Sequence, residues 1–242
     1  MFKWSEQMNV ANTERYKEWQ KQYSSVFVPE NLQRSDETKL IEGYSVHSKF
    51  FQGGENSLSA YENELVDYQG QVIYRWRNLD SHQSLSMFKH RNGNHYLVFQ
   101  IELYGYSVYE LEAGKEMHFV PLQVHPENKK NFVEVFIWTS ADYDPNSDLL
   151  AVGGCYWACP WSTIVVDFAD PLHEQPVEHW LYVEDLIDSK QIDGDVDFES
   201  WVDGNLLLNI NSENQHKILL PISNIKNALI ELKAKDRVCD LI

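Results

Sequence analysis

The chain has 242 residues, room for one large β domain or two small ones, and 43% of them are apolar, enough to build a core. With 37 Asp and Glu against 20 Lys and Arg, its net charge is −17. That field repels phosphate backbones and anionic lipid, so the sequence argues against nucleic-acid and membrane-surface binding and favours a basic protein partner.

The basic stretches, Lys89-His90-Arg91 and residues 233–237, are short, the second interrupted by an acid, and read as solvated surface. No apolar run approaches the roughly 18 residues of a membrane span. The first residues, Met1-Phe2-Lys3-Trp4-Ser5, carry no apolar signal-peptide core. Three Cys, an odd number, argue against a disulfide scaffold and for a reducing compartment. The expected location is the cytoplasm, and the whole chain is expected to form a single domain.

Elements follow in chain order. Residues 1–39 read as a helical extension. Asn12-Thr13-Glu14 can start a helix, because a short polar side chain accepts from the free N–H groups of a first turn. Tyr16, Trp19, Gln20 and Tyr23 then recur at helical spacing, and Pro29 ends the segment. Residues 31–39 are polar and read as a loop.

From residue 40 to 222 the pattern turns to short β-type runs separated by turn signals. Residues 65–68 run through Gln69-Gly70 into 72–76; 107–111 run through Ala113-Gly114 into 117–120; 163–168 run through Ala169-Asp170-Pro171 into 177–181. A further pair of runs precedes the second and third of these units, with turns at Arg91-Asn92-Gly93-Asn94 and at 144–148. A last set runs 196–202, Asp203-Gly204, 205–210 and 216–220; such Gly-containing pairs favour tight hairpins. The acids Asp67, Glu110 and Asp167 stand at the same place in successive units, 43 and then 57 residues apart, and a four-strand repeat of roughly 40–50 residues is the pattern of a propeller blade. Leu97-Val98-Phe99, Leu150-Ala151-Val152 and Leu206-Leu207-Leu208 are unbroken apolar runs, expected to be covered on both faces. Residues 223–237 place Ile225, Leu229 and Leu232 at helical spacing, a C-terminal helix; a final strand is the competing reading.

The units from about 45 to 222 resemble degenerate blades of β-propeller proteins of the WD40-like or kelch-like type. They lack the Gly-His and Trp-Asp pairs of the first and the repeated double glycine of the second; Gly53-Gly54 and Gly153-Gly154 are isolated. The resemblance implies an all-β, propeller-like stack of about four four-stranded meanders, flanked by an N-terminal helix and a short C-terminal helix. It implies no activity.

The most unusual stretch is 153–162, GGCYWACPWS. Large aromatics in a loop offer wide contact area at little entropy cost, or they fold back as a plug. Tyr156, Trp157 and Trp161, with Tyr104 and Tyr143, are the candidate binding residues. Cys155 and Cys159, with three residues between them, lack two further ligands for zinc; His173 and His179 are the nearest candidates, and no metal or cofactor is expected. The acidic run 188–197 fails as a calcium loop, because Ser189 and Ser200 fall where carboxylates are needed. Nucleophile-elbow, phosphate-loop and zincin motifs are missing, and no catalytic residue is singled out. Two readings follow. One is an interaction module for a basic partner, for example an immunity or antitoxin-type protein that blocks a basic toxin. The other is a hydrolase or lyase acting on a small or sugar-like ligand at the aromatic loop, with Asp142, Asp144 and Asp167 as carboxylates within reach.

Overall fold

A computed structural model describes residues 9–54, 57–122, 134–157, 159–173 and 180–239, the last five of these without side chains. The expectations placed on the first eight residues, on Val133, on residues 177–179 and on the Cys239 side chain lie outside the described residues.

Each repeat folds into an antiparallel meander. β1 (Leu32–Lys39), β2 (Ser45–Gly53), β3 (Leu58–Val66) and β4 (Val72–Asn78) form the first sheet. β5 (Leu85–Lys89), β6 (His95–Phe99), β7 (Tyr106–Glu110) and β8 (Lys115–Phe119) form the second. β9 (Ile137–Asp144), β10 (Leu149–Cys155), β11 (Ser162–Asp167) and β12 (Trp180–Tyr182) form the third. The fourth has three strands, β13 (Asp195–Val202), β14 (Asn205–Asn211) and β15 (His216–Pro221). The chain then enters α2 (Ile222–Cys239), a helix rather than a final strand, whose Ile225 and Leu229 are buried against the third and fourth sheets. The fold is a propeller-like, all-β stack with a helix at each end of the chain.

The hairpin chemistry is local. Asp203 and Gly204 both adopt positive φ, the conformation a two-residue hairpin requires. Two of the three repeated acids serve their own turns: Asp67 Oδ1 accepts from the N–H groups of Gln69 (2.9 Å) and Gln71 (2.8 Å), and Asp167 Oδ1 accepts from Ala169 N–H (3.2 Å), whereas Glu110 accepts from the Asn94 side chain of the preceding turn.

Three apolar clusters join neighbouring sheets in sequence. Val46, Leu65 and Trp76 meet Leu97, Phe99 and Tyr109 between the first and second. Phe88, Val98 and Tyr106 meet Trp138, Leu150 and Ile164 between the second and third. Ala151, Val165 and Leu181 meet Val196, Leu206 and Leu208 between the third and fourth. No core cluster among the described residues joins the fourth sheet back to the first, so over those residues the stack runs as an open series. The outer face of the first sheet carries Arg75 paired with Glu64 and Arg77 paired with Glu62, at 2.8 and 2.6 Å. A polar end face of this kind is what a terminal repeat needs.

That geometry corrects one expectation. Leu97, Val98, Phe99, Leu150, Ala151 and Val152 are all buried, but β14 alternates: Leu206 and Leu208 are buried while Leu207 is half-buried on the open side. Among the described residues no further sheet covers the last one, so one face of its middle strand is only partly buried. A second correction concerns residues 31–39. Asn31 ends a 3-10 turn and Leu32–Lys39 form β1 rather than a loop, and all eight residues of that strand are exposed, so no apolar alternation announced it.

At the N-terminus Thr13 caps α1 (Glu14–Gln20), its hydroxyl accepting from Tyr16 N–H at 3.2 Å. The following turns bring Val26 and Phe27 onto Phe51, Ala60 and Leu79 of the first sheet.

Candidate functional site

The strand registers give the stack two ends. Cys155 pairs with Ile137 at one end of the third sheet, and Leu149 pairs with Asp144 at the other. The aromatic loop lies at the first of these ends. Gly153, Gly154 and Cys155 belong to β10, so the loop proper is residues 156–161. The glycines are there because backbones and rings crowd them. A Cβ on Gly154 would lie 1.9 Å from the Ile137 carbonyl oxygen and 2.7 Å from the Phe136 ring.

Each aromatic of the loop is braced by a different part of the chain. The Tyr156 and Tyr182 hydroxyls are hydrogen-bonded at 2.5 Å, and Tyr156 stands edge-on to Phe136. The Trp157 indole N–H donates to the Tyr104 hydroxyl at 2.8 Å, reaching into the β6–β7 loop of the second sheet. The Trp157 backbone N–H donates to the Glu134 carboxylate. Trp161 N–H donates to Asp195 Oδ1 at 2.8 Å, and the Trp161 carbonyl accepts from Val196 N–H at 2.9 Å, on the fourth sheet. The loop therefore straddles three sheets. Its two indoles remain outside: Trp157 is 62% exposed and Trp161 41%.

Of the five candidate residues, Tyr104 and Trp157 are in contact, Tyr156 and Trp161 flank them, and Tyr143 is elsewhere. Tyr143 pairs with Leu150, about five residues and roughly 17 Å along the sheet from Cys155. There it is buried, stacked on Phe88 and His90, and its hydroxyl donates to Asp148 Oδ1 at 2.8 Å. It is a packing residue at the opposite end. Asp144 and Asp167 lie at that end too. Asp144 accepts from Ser147 Oγ at 2.6 Å, and Asp167 accepts from Lys233 Nζ at 2.6 Å, so neither faces the aromatic loop.

The carboxylates at the loop are ones the sequence did not single out: Glu134 before β9, Glu184 after β12 and Asp195 at the start of β13. Glu184 accepts from Ser162 Oγ at 2.5 Å through one oxygen; its other oxygen is buried without a partner, and burial raises its pKa. Burial likewise pushes the Cys155 thiol up, with Glu134 adding in the same direction. Cys155 and Cys159 are both free thiols, and no group of three metal-ligating side chains occurs among the described residues. Residues Ser189–Gln191 form a short 3-10 turn capped by Asp188, whose side chain accepts from Lys190 N–H.

The same end carries a buried carboxyl. Tyr16 of α1 donates to Glu102 Oε2 at 3.1 Å in the β6–β7 loop. Burial, aided by the nearby Asp80 charge and opposed by the Tyr16 hydrogen bond, raises the Glu102 pKa to about 8.

No helix among the described residues is long and apolar enough to cross a membrane. No family model matches the chain, and no curated protein matches it. Among solved structures, a bifunctional GH43-CE protein of Bacteroides eggerthii aligns with a TM-score of 0.34 and 12% identity, covering 77% of this chain and 24% of that one. The chain thus spans about a quarter of that structure's length, and a likeness this slight carries no argument about function.

Proposed function

We propose that the protein is a binding module whose contact surface is the loop 156–161, and that this surface takes a Lys- or Arg-bearing segment of a basic protein partner. The observation that supports this reading is the pairing of two solvent-facing indoles, Trp157 and Trp161, with a rigid acidic surround. Indole faces attract guanidinium and ammonium groups, and the attraction strengthens as water is excluded. A braced loop loses little freedom on binding, so more of its contact energy appears as affinity. The net charge of −17 steers a cationic partner toward the molecule from a distance. An immunity or antitoxin-type protein that blocks a basic toxin is one form such a module takes.

Calorimetric titration with a short Arg/Lys/Ser peptide and with its Asp/Glu/Ser counterpart tests this. The expected result is binding of the basic peptide alone, weakened about tenfold or more by Trp157→Ala with Trp161→Ala, as loss of central aromatic anchors does. Equal binding by the double variant overturns the assignment of the surface. Turnover of a sugar or ester substrate, abolished by the same substitutions, would replace it with the hydrolase or lyase reading.

A further inference from the structure

The first strand of each sheet is an edge strand. Among the described residues, β9 and β13 take hydrogen bonds from other sheets on their backbone edges, and β5 reaches its neighbour through a side chain. Ser86 Oγ of β5 donates to the Ala141 carbonyl of β9 at 2.7 Å, and the Trp201 indole of β13 donates to the Asp142 carbonyl of β9 at 3.3 Å. At β13 itself, Thr163 Oγ donates to the Val196 carbonyl at 2.8 Å, and Val196 N–H donates to the Trp161 carbonyl. β1 differs. Among the described residues it hydrogen-bonds to β2 on one side only, and all eight of its residues are exposed. A free edge of that length is a template for another strand unless its side chains forbid it.

The side chains of β1 permit one partner in particular. Two copies of a strand paired antiparallel in one sheet are related by a two-fold axis perpendicular to that sheet. The axis keeps each side chain on its own face, and opposed residues in a sheet share a face. Only registers centred on a residue satisfy both conditions. Centring on Arg34, Asp36 or Glu37 sets a charge against its own copy. Centring on Ser35 sets Arg34 against Asp36 of the second copy, and Asp36 against Arg34, with serine opposite serine between them. The flanking Glu37 then faces Gln33, a neutral donor. The ladder to β2 is regular from Arg34 to Lys39, so Arg34, Ser35, Asp36 and Glu37 lie on undistorted strand, while Gln33 sits in a bulge at the margin of the pairing.

We propose that β1 is a self-association edge, and that two copies of this chain join through antiparallel β1–β1 pairing centred on Ser35 to form a continuous eight-stranded sheet. Charged residues on an edge usually deter pairing. Here their order deters strangers and admits a copy. The surface is separate from the aromatic loop, and the inference goes beyond the binding reading.

A charge-swap series tests it on the full chain, at physiological ionic strength so that the net repulsion between two acidic copies is screened. Sedimentation velocity of wild type should show a concentration-dependent dimer. Arg34→Asp and Asp36→Arg, each of which puts like charges opposite, should each sediment as monomers. Mixing the two single variants should restore a dimer, since one then presents two acids and the other two bases. The double variant Arg34→Asp with Asp36→Arg, complementary again, should also dimerise. Arg34 also packs over the Phe50 ring and donates to the Tyr61 hydroxyl at 2.7 Å, so thermal melts of each variant check folding. The mixture provides a second readout, because two folded chains must be present to rescue each other. A monomeric wild type across the concentration range, or dimers indifferent to the four charge arrangements, overturns the proposal.

Discussion

Truncating Leu150 and Leu207 to Ala separates a stack with covered middle strands from a single wet sheet. Leu150 is fully buried in β10, the strand between β9 and β11, and packs in the cluster of Phe88, Tyr143, Val152, Ile164 and Val166. Its neighbours are held by ladders on both sides, so they cannot collapse into the space it leaves. Removal of its outer carbons loses about 0.8 kcal/mol per methylene-sized group in transfer energy alone, and the cavity adds to that. The expected total is about 3–5 kcal/mol, the upper part of the range for such truncations. In a chain of this size that lowers Tm by roughly 6–20 °C. Leu207, on the open face of the fourth sheet, already contacts water, so its truncation leaves a surface dent rather than a cavity and should cost about 1 kcal/mol. Urea melts followed by near-ultraviolet circular dichroism, with a common m-value, give both numbers. Equal losses at the two sites would refute the reasoning, because they would mean that a further layer covers the fourth sheet. A Leu150 loss below about 1 kcal/mol would refute the stacked core itself.

Other outcomes follow from the same geometry. Glu102, whose carboxyl is held protonated in the fold to a pH of about 8, makes the folded state bind more protons than the unfolded one, so stability should fall as pH rises from the ordinary carboxyl range through about 8. Glu102→Gln should flatten that slope in melts taken across the same window, and a slope unchanged by the substitution would show that another group sets it. Gly154→Ala should cost about 2 kcal/mol or more, since its Cβ would strike backbone that cannot yield, and unaltered thermal stability would contradict the close approach of β9 and β10. Asp193→Ala, at an exposed turn position, should stay within about 0.5 kcal/mol of wild type in urea, with a larger loss showing a contact the turn does not make here.

Hairpins were readable from the chain because their signals are local. Asp203-Gly204 names its own turn, and Leu97-Val98-Phe99 and Leu150-Ala151-Val152 announce strands covered on two faces. β1 was not readable. Its residues are all solvated, so it carries no apolar alternation, and only its pairing with β2 makes it a strand. Leu207 misled because an apolar run does not say which sheet comes last. The aromatic loop was legible as a composition, Trp157 and Trp161 within five positions. Of its partners, Tyr104 stands with it among the sequence candidates, but Glu134 and Asp195 do not, since they reach it from two separate connections. Tyr143 was misplaced for a related reason: a strand residue's sequence position does not reveal which end of the sheet it occupies until the register is known.

A cation-binding loop requires its exposed pair of indoles to stand in a negative field, and collisional quenching of tryptophan fluorescence measures that field directly. Caesium and iodide are titrated against wild type and against Trp157→Phe with Trp161→Phe, each quencher normalised to its effect on free N-acetyltryptophanamide. Glu134, Glu184 and Asp195 around the loop should concentrate the cation and exclude the anion. The prediction is that normalised caesium quenching exceeds iodide quenching in wild type, and that most of the accessible emission and of that difference disappears in the double variant. Iodide quenching equal to or greater than that of caesium, or a difference that survives removal of both indoles, would contradict the reading of this loop as a surface built for cations.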